Sequence, residues 1–279
     1  MPFPVSIIGR STAPVHSKID GAWLTAFASA VGSPAASHPL FPVCVEWPAV
    51  TAAARLDDGA LASDERRRGI HATHDLTIHR LIRAGDVVST TATVDALEAR
   101  RRGTFQRVRL ETRAADGTLV ATTLMGSMFI GVAIDGDLTA SAAKGDAVPV
   151  RDEEDRPETV ETVAITVAGD QARAYSEASH IWNPIHTDDA AAIAAGLAAP
   201  ILHGTCTLGL ATSAALAWAG VDVRAVRRIR VRFVGMVAMP STLALHVWHA
   251  RNGGAGDELG FEVVDSNQQP VLADGRLTL

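Results

Sequence analysis

The chain has 279 residues, 47% of them hydrophobic and 20% charged, with a formal net charge of −6 and two cysteines, Cys44 and Cys206. At roughly 150 residues per domain this length predicts two domains or one large double unit, and it suffices to bury a core without staples. The balance excludes a disordered or collagen-like chain, a general grip on nucleic acid, a disulfide framework and a cysteine-built zinc site.

No stretch reaches the length of a membrane-spanning helix; the Ala-rich run Ala190–Ala199 is broken by Gly196. The opening MPFPVSIIGRSTAP lacks the basic start and long apolar core of a signal peptide. With few cysteines, this predicts a soluble cytoplasmic protein that engages neither membrane nor nucleic acid.

In chain order, Ile19–Ala30 places Trp23, Phe27 and Ala30 on one helical face. An Ala-rich helix over AVTAAARL follows. Three strand-like runs come next: Asp86–Glu98, rich in Val and Thr, then Thr104–Ala114 with Phe105, Val108 and Leu110 among charged neighbours, then Thr118–Val132. They are joined by RRRG and ADG, the second a short-hairpin signal. Residues 134–158 are polar, small and finally acidic, and carry no hydrophobic period, so they read as a surface linker.

The order then repeats. Thr159–Ala168 is a Val/Thr strand and Gly169–Ser179 a helix. Thr205–Ala219 is apolar nearly all round, as befits a helix buried in a curled sheet. Val221–Val237, Thr242–Ala250, Glu258–Asp265 and Pro270–Leu279 read as strands. Pro39–Val45 can be laid on Pro200–Cys206, which brings AVTAAARL onto LATSAALA. The pattern predicts halves at 1–133 and 159–279, each an antiparallel meander with a central helix.

The segment from Tyr175 to Leu210 carries the chemistry. Its Asn183-Pro184-Ile185-His186 resembles the signature S-G-D-x-N-P-I-H of the MaoC-like, (R)-specific enoyl-CoA hydratase family. Thr187-Asp188 and the later block Ile201-Leu202-His203-Gly204 fit that family, and HDLTIHRLIRAGD at 74–86 resembles the N-terminal half of its two-domain members. The resemblance implies an α+β double hotdog fold acting on acyl thioesters of CoA or an acyl carrier protein. No cofactor beyond the substrate's own CoA or phosphopantetheine is implied, and a homodimer stays open.

The residues agree with that role. Pro184 restricts Asn183 and makes the stretch a rigid loop. Thr187 is expected to cap the next helix, with Asp188 and Asp189 in its first turn. His186 then stands ready to exchange a proton near neutral pH, and Asn183 to bond the backbone or a water. The competing reading is a histidine that caps or packs. Gly204 and Thr205 open the buried helix, whose first N–H groups lack internal partners; the resemblance implies that Gly204 helps polarise the thioester carbonyl. The competing reading is a glycine that only eases a turn.

One departure stands out. The family's second catalytic residue, an aspartate five positions before the histidine, falls on Ile181 here, with His180 at the neighbouring glycine. Isoleucine can line a substrate site but cannot activate water. Glu46, in FPVCVEWPAV, is the substitute the sequence offers. The internal alignment puts it in the first turn of the first central helix, and the family resemblance allows an acid there to share a cleft with His186. Its apolar surroundings would raise its pKa; alternatively it is a solvent-facing helix charge. The predicted catalytic set is thus His186, Asn183 and Glu46, with Gly204, Thr205 and Ile181 against substrate. A hotdog thioesterase and a non-catalytic acyl-CoA-binding or partner subunit are the alternatives.

Two clusters are weaker. Arg224, Arg227, Arg228, Arg230 and Arg232 suit either CoA phosphates or a solvated strand face. His71, His74 and His79 lack metal-ligand spacing, so no metal is expected. There is no P-loop or dinucleotide glycine fingerprint.

Overall fold

A computed structural model describes residues 2–136, 159–250 and 258–279. In chain order its elements are β1 (Phe3–Pro4), β2 (Val15–Lys18), α1 (Gly21–Ala30), α2 (Pro42–Ala53), α3 (Ser63–Arg66), β3 (Gly69–Ile78), β4 (Val87–Arg100), β5 (Gly103–Ala114), β6 (Leu119–Ile130), β7 (Ile134–Asp135), β8 (Glu161–Val167), α4 (Gln171–Ser179), α5 (Asp189–Ala194), α6 (Gly204–Ala219), β9 (Arg228–Phe233), β10 (Ser241–Ala250), β11 (Glu258–Val264) and β12 (Pro270–Thr278). The described residues form two compact units. The first holds residues 2–18, 45–80 and 86–136; the second holds Ile19–Cys44, Leu81–Gly85 and the described residues from 159 onward. The units therefore do not follow chain order alone, since α1 lies in the second.

In the first unit the strands run β2-β4-β5-β6-β3, every neighbour antiparallel. Strand alternation puts one row inward. Ala92, Val108 and Leu110 of that row pack with Ala49 and Ala53 of α2, joined by Val50 and Met125. Phe3, Ile7, Leu61, Val94, Leu97 and Val132 form a second buried cluster. Strand β3 is not among the predicted strands. Its buried row is His74, Leu76 and Ile78, a period of two that begins on a polar residue.

In the second unit the order is β9-β12-β11-β10-β8, again antiparallel throughout. Helix α6 packs on β8, β10 and β11. Its Cys206, Leu208, Ala211, Ala215 and Leu216 are buried among the sheet's Leu243, Leu245, Leu259, Phe261 and Val263. Helix α1 lies against α4: Phe27 meets Tyr175 at 5.9 Å between ring centroids, and Trp23 Nε1 donates to the Ala178 carbonyl at 3.0 Å.

Each unit is thus the antiparallel meander plus helix that the sequence predicts. The long strand expected over Val221–Val237 is shorter, Arg228–Phe233. Before it, Asp222 accepts from the Arg224 amide and turns Val223–Ala225 into a 3₁₀ turn. Of the expected linker, residues 137–158 lie outside the described residues, while Ile134–Asp135 pair with Phe3–Pro4 as β7 with β1. Among the described residues no helix is long and apolar enough to cross a membrane.

Candidate active site

The site is built in the second unit from three short segments. The first is the end of α4 and the loop after it. His180 closes α4 in the left-handed conformation, φ 60°, which is unusual for a residue with a Cβ. Its ring lies flat on Trp23 of α1, centroids 4.6 Å apart. Ile181 follows, buried, its amide donating to Ser179 Oγ at 3.1 Å.

The second segment is Asn183–Thr187. Asn183 is extended, as its position before proline requires. Its Oδ1 accepts from the Ile185 amide at 3.4 Å, so the side chain caps a 3₁₀ turn over Pro184–His186. The expected cap of the next helix is corrected here. Thr187 closes the 3₁₀ turn, and Asp188 caps α5 by accepting from the Ala191 amide at 2.7 Å. A carboxylate is the stronger acceptor at a helix start, where the dipole favours negative charge.

The third segment is Ile201–Cys206. It is stitched to the second: the Ile201 amide donates to the Ile185 carbonyl at 3.4 Å, and His186 Nδ1 lies 2.8 Å from the Ile201 carbonyl. A carbonyl only accepts, so Nδ1 carries the proton and the neutral ring keeps its lone pair on Nε2. His186 is half-buried, and burial lowers its pKa, opposed by the bond to Ile201. It is therefore neutral at pH 7 and able to accept a proton.

His203 begins α6, its carbonyl accepting from the Thr207 amide at 3.0 Å. Its ring stacks on His186, centroids 3.7 Å apart and planes 28° apart. Ser176 Oγ lies 3.2 Å from His203 Nε2, and the Tyr175 ring lies 5.0 Å away. Burial, with His186 alongside, pulls the His203 pKa down to about 3, the Ile181 main chain opposing weakly. Gly204 follows directly. A Cβ there would meet Phe233 Cδ1 at 3.0 Å, so the close approach of that ring explains the glycine. Tyr175 donates to Thr205 Oγ1 at 2.9 Å and is wholly buried, which holds its phenol well above the usual range. The amides of Gly204 and Thr205 are first-turn donors with no intrahelical acceptor.

The structure thus gathers His186, Ile181, Gly204 and Thr205 around His203, with Asn183 shaping the turn that presents His186. Glu46 belongs to the first unit. It is the fifth residue of α2, not in the first turn, and the solvent-facing alternative is overturned: it is 2% exposed. Thr123 of β6 donates to its Oε1 at 2.6 Å. Burial raises its pKa to about 7, against the smaller opposing effect of Thr123.

Sequence reasoning named His203 in a motif block without a role for its side chain, and missed Ser176 and Tyr175 as parts of this cluster. Tyr175, Ser176 and Ser179 share the buried face of α4, and polar residues on such a face were the available signal. Of the arginines, Arg224 pairs with Asp222 at 2.7 Å and Arg232 with Asp274, so carboxylates of the same unit engage two of the five. His71 Nε2 lies 3.1 Å from the Thr73 carbonyl. Among the described residues no three His, Cys, Asp or Glu side chains gather as a metal site.

Residues 152–268 match the model of the MaoC like domain. The second half of the chain is a MaoC-like domain. Residues 6–123 match the FAS1-like, dehydratase domain region. The 3-hydroxyacyl-thioester dehydratase Y of Mycobacterium tuberculosis is 29% identical over 191 residues, 67% of this chain and 63% of that protein. Peroxisomal multifunctional enzyme type 2 of Drosophila melanogaster is 41% identical over 88 residues, 31% of this chain and 14% of that protein. The chain therefore spans less than two thirds of the length of either relative. A MaoC-like dehydratase from Phytophthora capsici superposes with a TM-score of 0.81 at 22% identity, covering 98% of this chain and 97% of that one. A Mycobacterium tuberculosis protein described as a double hotdog superposes with a TM-score of 0.65 at 16% identity, covering 97% of this chain and 94% of that one, so the fold is a double hotdog.

Proposed function

We propose that this chain is an acyl-thioester hydratase/dehydratase in which His186 moves the proton. The observation that carries this reading is the bond from His186 Nδ1 to the Ile201 carbonyl, which keeps the proton of the neutral ring on Nδ1 and leaves the lone pair on Nε2. The relative named for 3-hydroxyacyl-thioester dehydration supports the reaction class.

In the hydration direction, water oxygen bonds to the β-carbon of an enoyl thioester as Nε2 takes the water proton. The electron pair of the double bond moves through the α-carbon onto the thioester oxygen. The amides of Gly204 and Thr205, at the positive end of the α6 dipole, stabilise that enolate. Nε2 then gives its proton to the α-carbon. Dehydration is the reverse. Asn183 holds the turn, and Ile181 offers substrate an apolar wall with no acid–base group. Glu46 is proposed as a second acid–base group on its own merits, a buried carboxyl with a pKa of about 7. The thioester carrier is CoA or an acyl carrier protein.

The test is incubation with enoyl-, 3-hydroxyacyl- and saturated acyl-CoAs, read by mass spectrometry. Gain or loss of water supports the reading. Release of free CoA points instead to a thioesterase, and unchanged substrates throughout point to a binding module.

A further inference from the structure

We propose that His203 is a positioning residue that braces the His186 ring and ties it to the helix start that supplies the amide donors. A single hydrogen bond from Nδ1 fixes one direction of the His186 ring but leaves it free to rock about that bond. The His203 ring, stacked at 3.7 Å, blocks that rocking from one face. His203 is itself enclosed: it is 2% exposed, touched by Ser176 Oγ at 3.2 Å and flanked by the Tyr175 ring. Its main chain caps α6 through the Thr207 amide. One residue therefore holds the base with its side chain and sets the position of the Gly204 and Thr205 amides with its backbone. Reactions that need base and oxyanion donors in register lose rate steeply when either drifts by a fraction of an ångström.

The surrounding groups leave the proton to His186. His203 stays neutral, since burial holds its pKa near about 3. Tyr175 and Cys206 are both pushed upward by burial and stay protonated. Asp188 is engaged with the Ala191 amide, and Asp189 and Glu177 are exposed. His180 lies on Trp23. A stacked neutral imidazole thus restrains His186 without competing for its proton.

The catalytic consequence rests on the hydratase/dehydratase reading; the restraint on the ring does not. The experiment uses the full chain with ¹⁵N-labelled histidine and the variants His203→Leu and His203→Phe. Nitrogen shifts report the tautomer and pKa of His186, and a crotonyl-CoA assay reports kcat and KM. We expect wild type to hold one tautomer, protonated on Nδ1. His203→Phe should keep that tautomer and kcat within about 3-fold, because the stacked face remains. His203→Leu should mix the tautomers, raise the His186 pKa and lower kcat by ~10-fold or more with KM within about 2-fold. If His203→Leu fails to fold, His203→Phe alone decides: a retained tautomer and kcat support the proposal, and their loss overturns it. Wild-type nitrogen shifts in His203→Leu also overturn it, as does equal damage from Phe and Leu. Absence of turnover in the wild type would refute the reaction class, and the nitrogen shifts would still decide the positioning role.

Discussion

Replacing Glu46 by glutamine removes a charge and leaves the shape. The Gln carbonyl can still accept from Thr123, which donates to Oε1 at 2.6 Å in the native chain. The carboxyl is 2% exposed, and burial raises its pKa from 4.5 to about 7. A raised folded-state pKa means that the folded protein holds the proton more tightly than the unfolded chain. The carboxyl's favourable contribution is then fully present below pH 4.5 and is lost as pH rises to about 7. At about 1.4 kcal/mol for each tenfold change in proton affinity, that gap is worth about 3 kcal/mol. Glutamine suffers no such loss. Glu46→Gln should therefore match wild type near pH 4.5 and exceed it by about 3 kcal/mol at pH 8.5, the gain levelling off above about pH 7. Urea unfolding followed by circular dichroism across that range measures it. Burial lowers His38, His74 and His203 to about 3 and His71 to about 4. These groups add stability as pH rises toward 6.5, but equally in both proteins, so they cancel in the difference. A difference that is flat with pH, or negative at pH 8.5, would show that Glu46 is ionised and solvated in the folded chain.

Other outcomes follow from the same geometry. His186→Ala should reduce turnover of a true substrate by ~10²-fold or more without unfolding the protein, checked by steady-state rates and circular dichroism; wild-type rates would leave His186 a packing residue. Thr123→Val removes the donor that opposes the rise at Glu46, so the pH at which the Glu46→Gln gain levels off should move upward in that background. The Cys206 thiol is buried and its pKa raised, so iodoacetamide at pH 8 should leave it unmodified in the folded protein and modify it in urea, as read by peptide mass spectrometry. Asp188→Ala should cost about 1 kcal/mol in urea unfolding by removing the α5 cap, whereas Thr187→Val should cost less.

The sequence showed α6 clearly because an all-round apolar helix has few other destinations. Strands β10, β11 and β12 were equally legible, being short β-branched or apolar runs ended by polar turns. The Asn-Pro-Ile-His turn was readable because proline and its neighbour constrain the backbone directly. Strand β3 was hidden by its histidines: a buried row that begins on His74 looks polar. Glu46 had its signal in the apolar residues on either side, yet flanking composition cannot say which way one side chain turns. Thr187 and Asp188 compete for one cap, and local propensity scarcely separates them. The His186–His203 stack joins residues 17 apart in the chain through a tertiary contact. No periodicity encodes that contact.

The placement of α1 has a consequence for synthesis. Its Leu24, Phe27 and Ala28 are buried in a unit whose described strands begin only at residue 161. During translation Phe27 and Trp23 leave the ribosome well before Tyr175 and Ala178, their respective partners on α4, have been made. Contacts of such long sequence separation form late and slowly. Until then only nearby residues such as Phe41, which meets Trp23 and Phe27, can cover that helix, and its α4-facing side stays open, the condition in which nascent chains aggregate or engage chaperones. A break engineered at the interdomain segment would not yield two self-sufficient pieces, because the C-terminal piece would lack its own first helix. A circular permutant opened between α1 and α2 would be a more informative dissection, since it would let α1 be joined to the unit it completes.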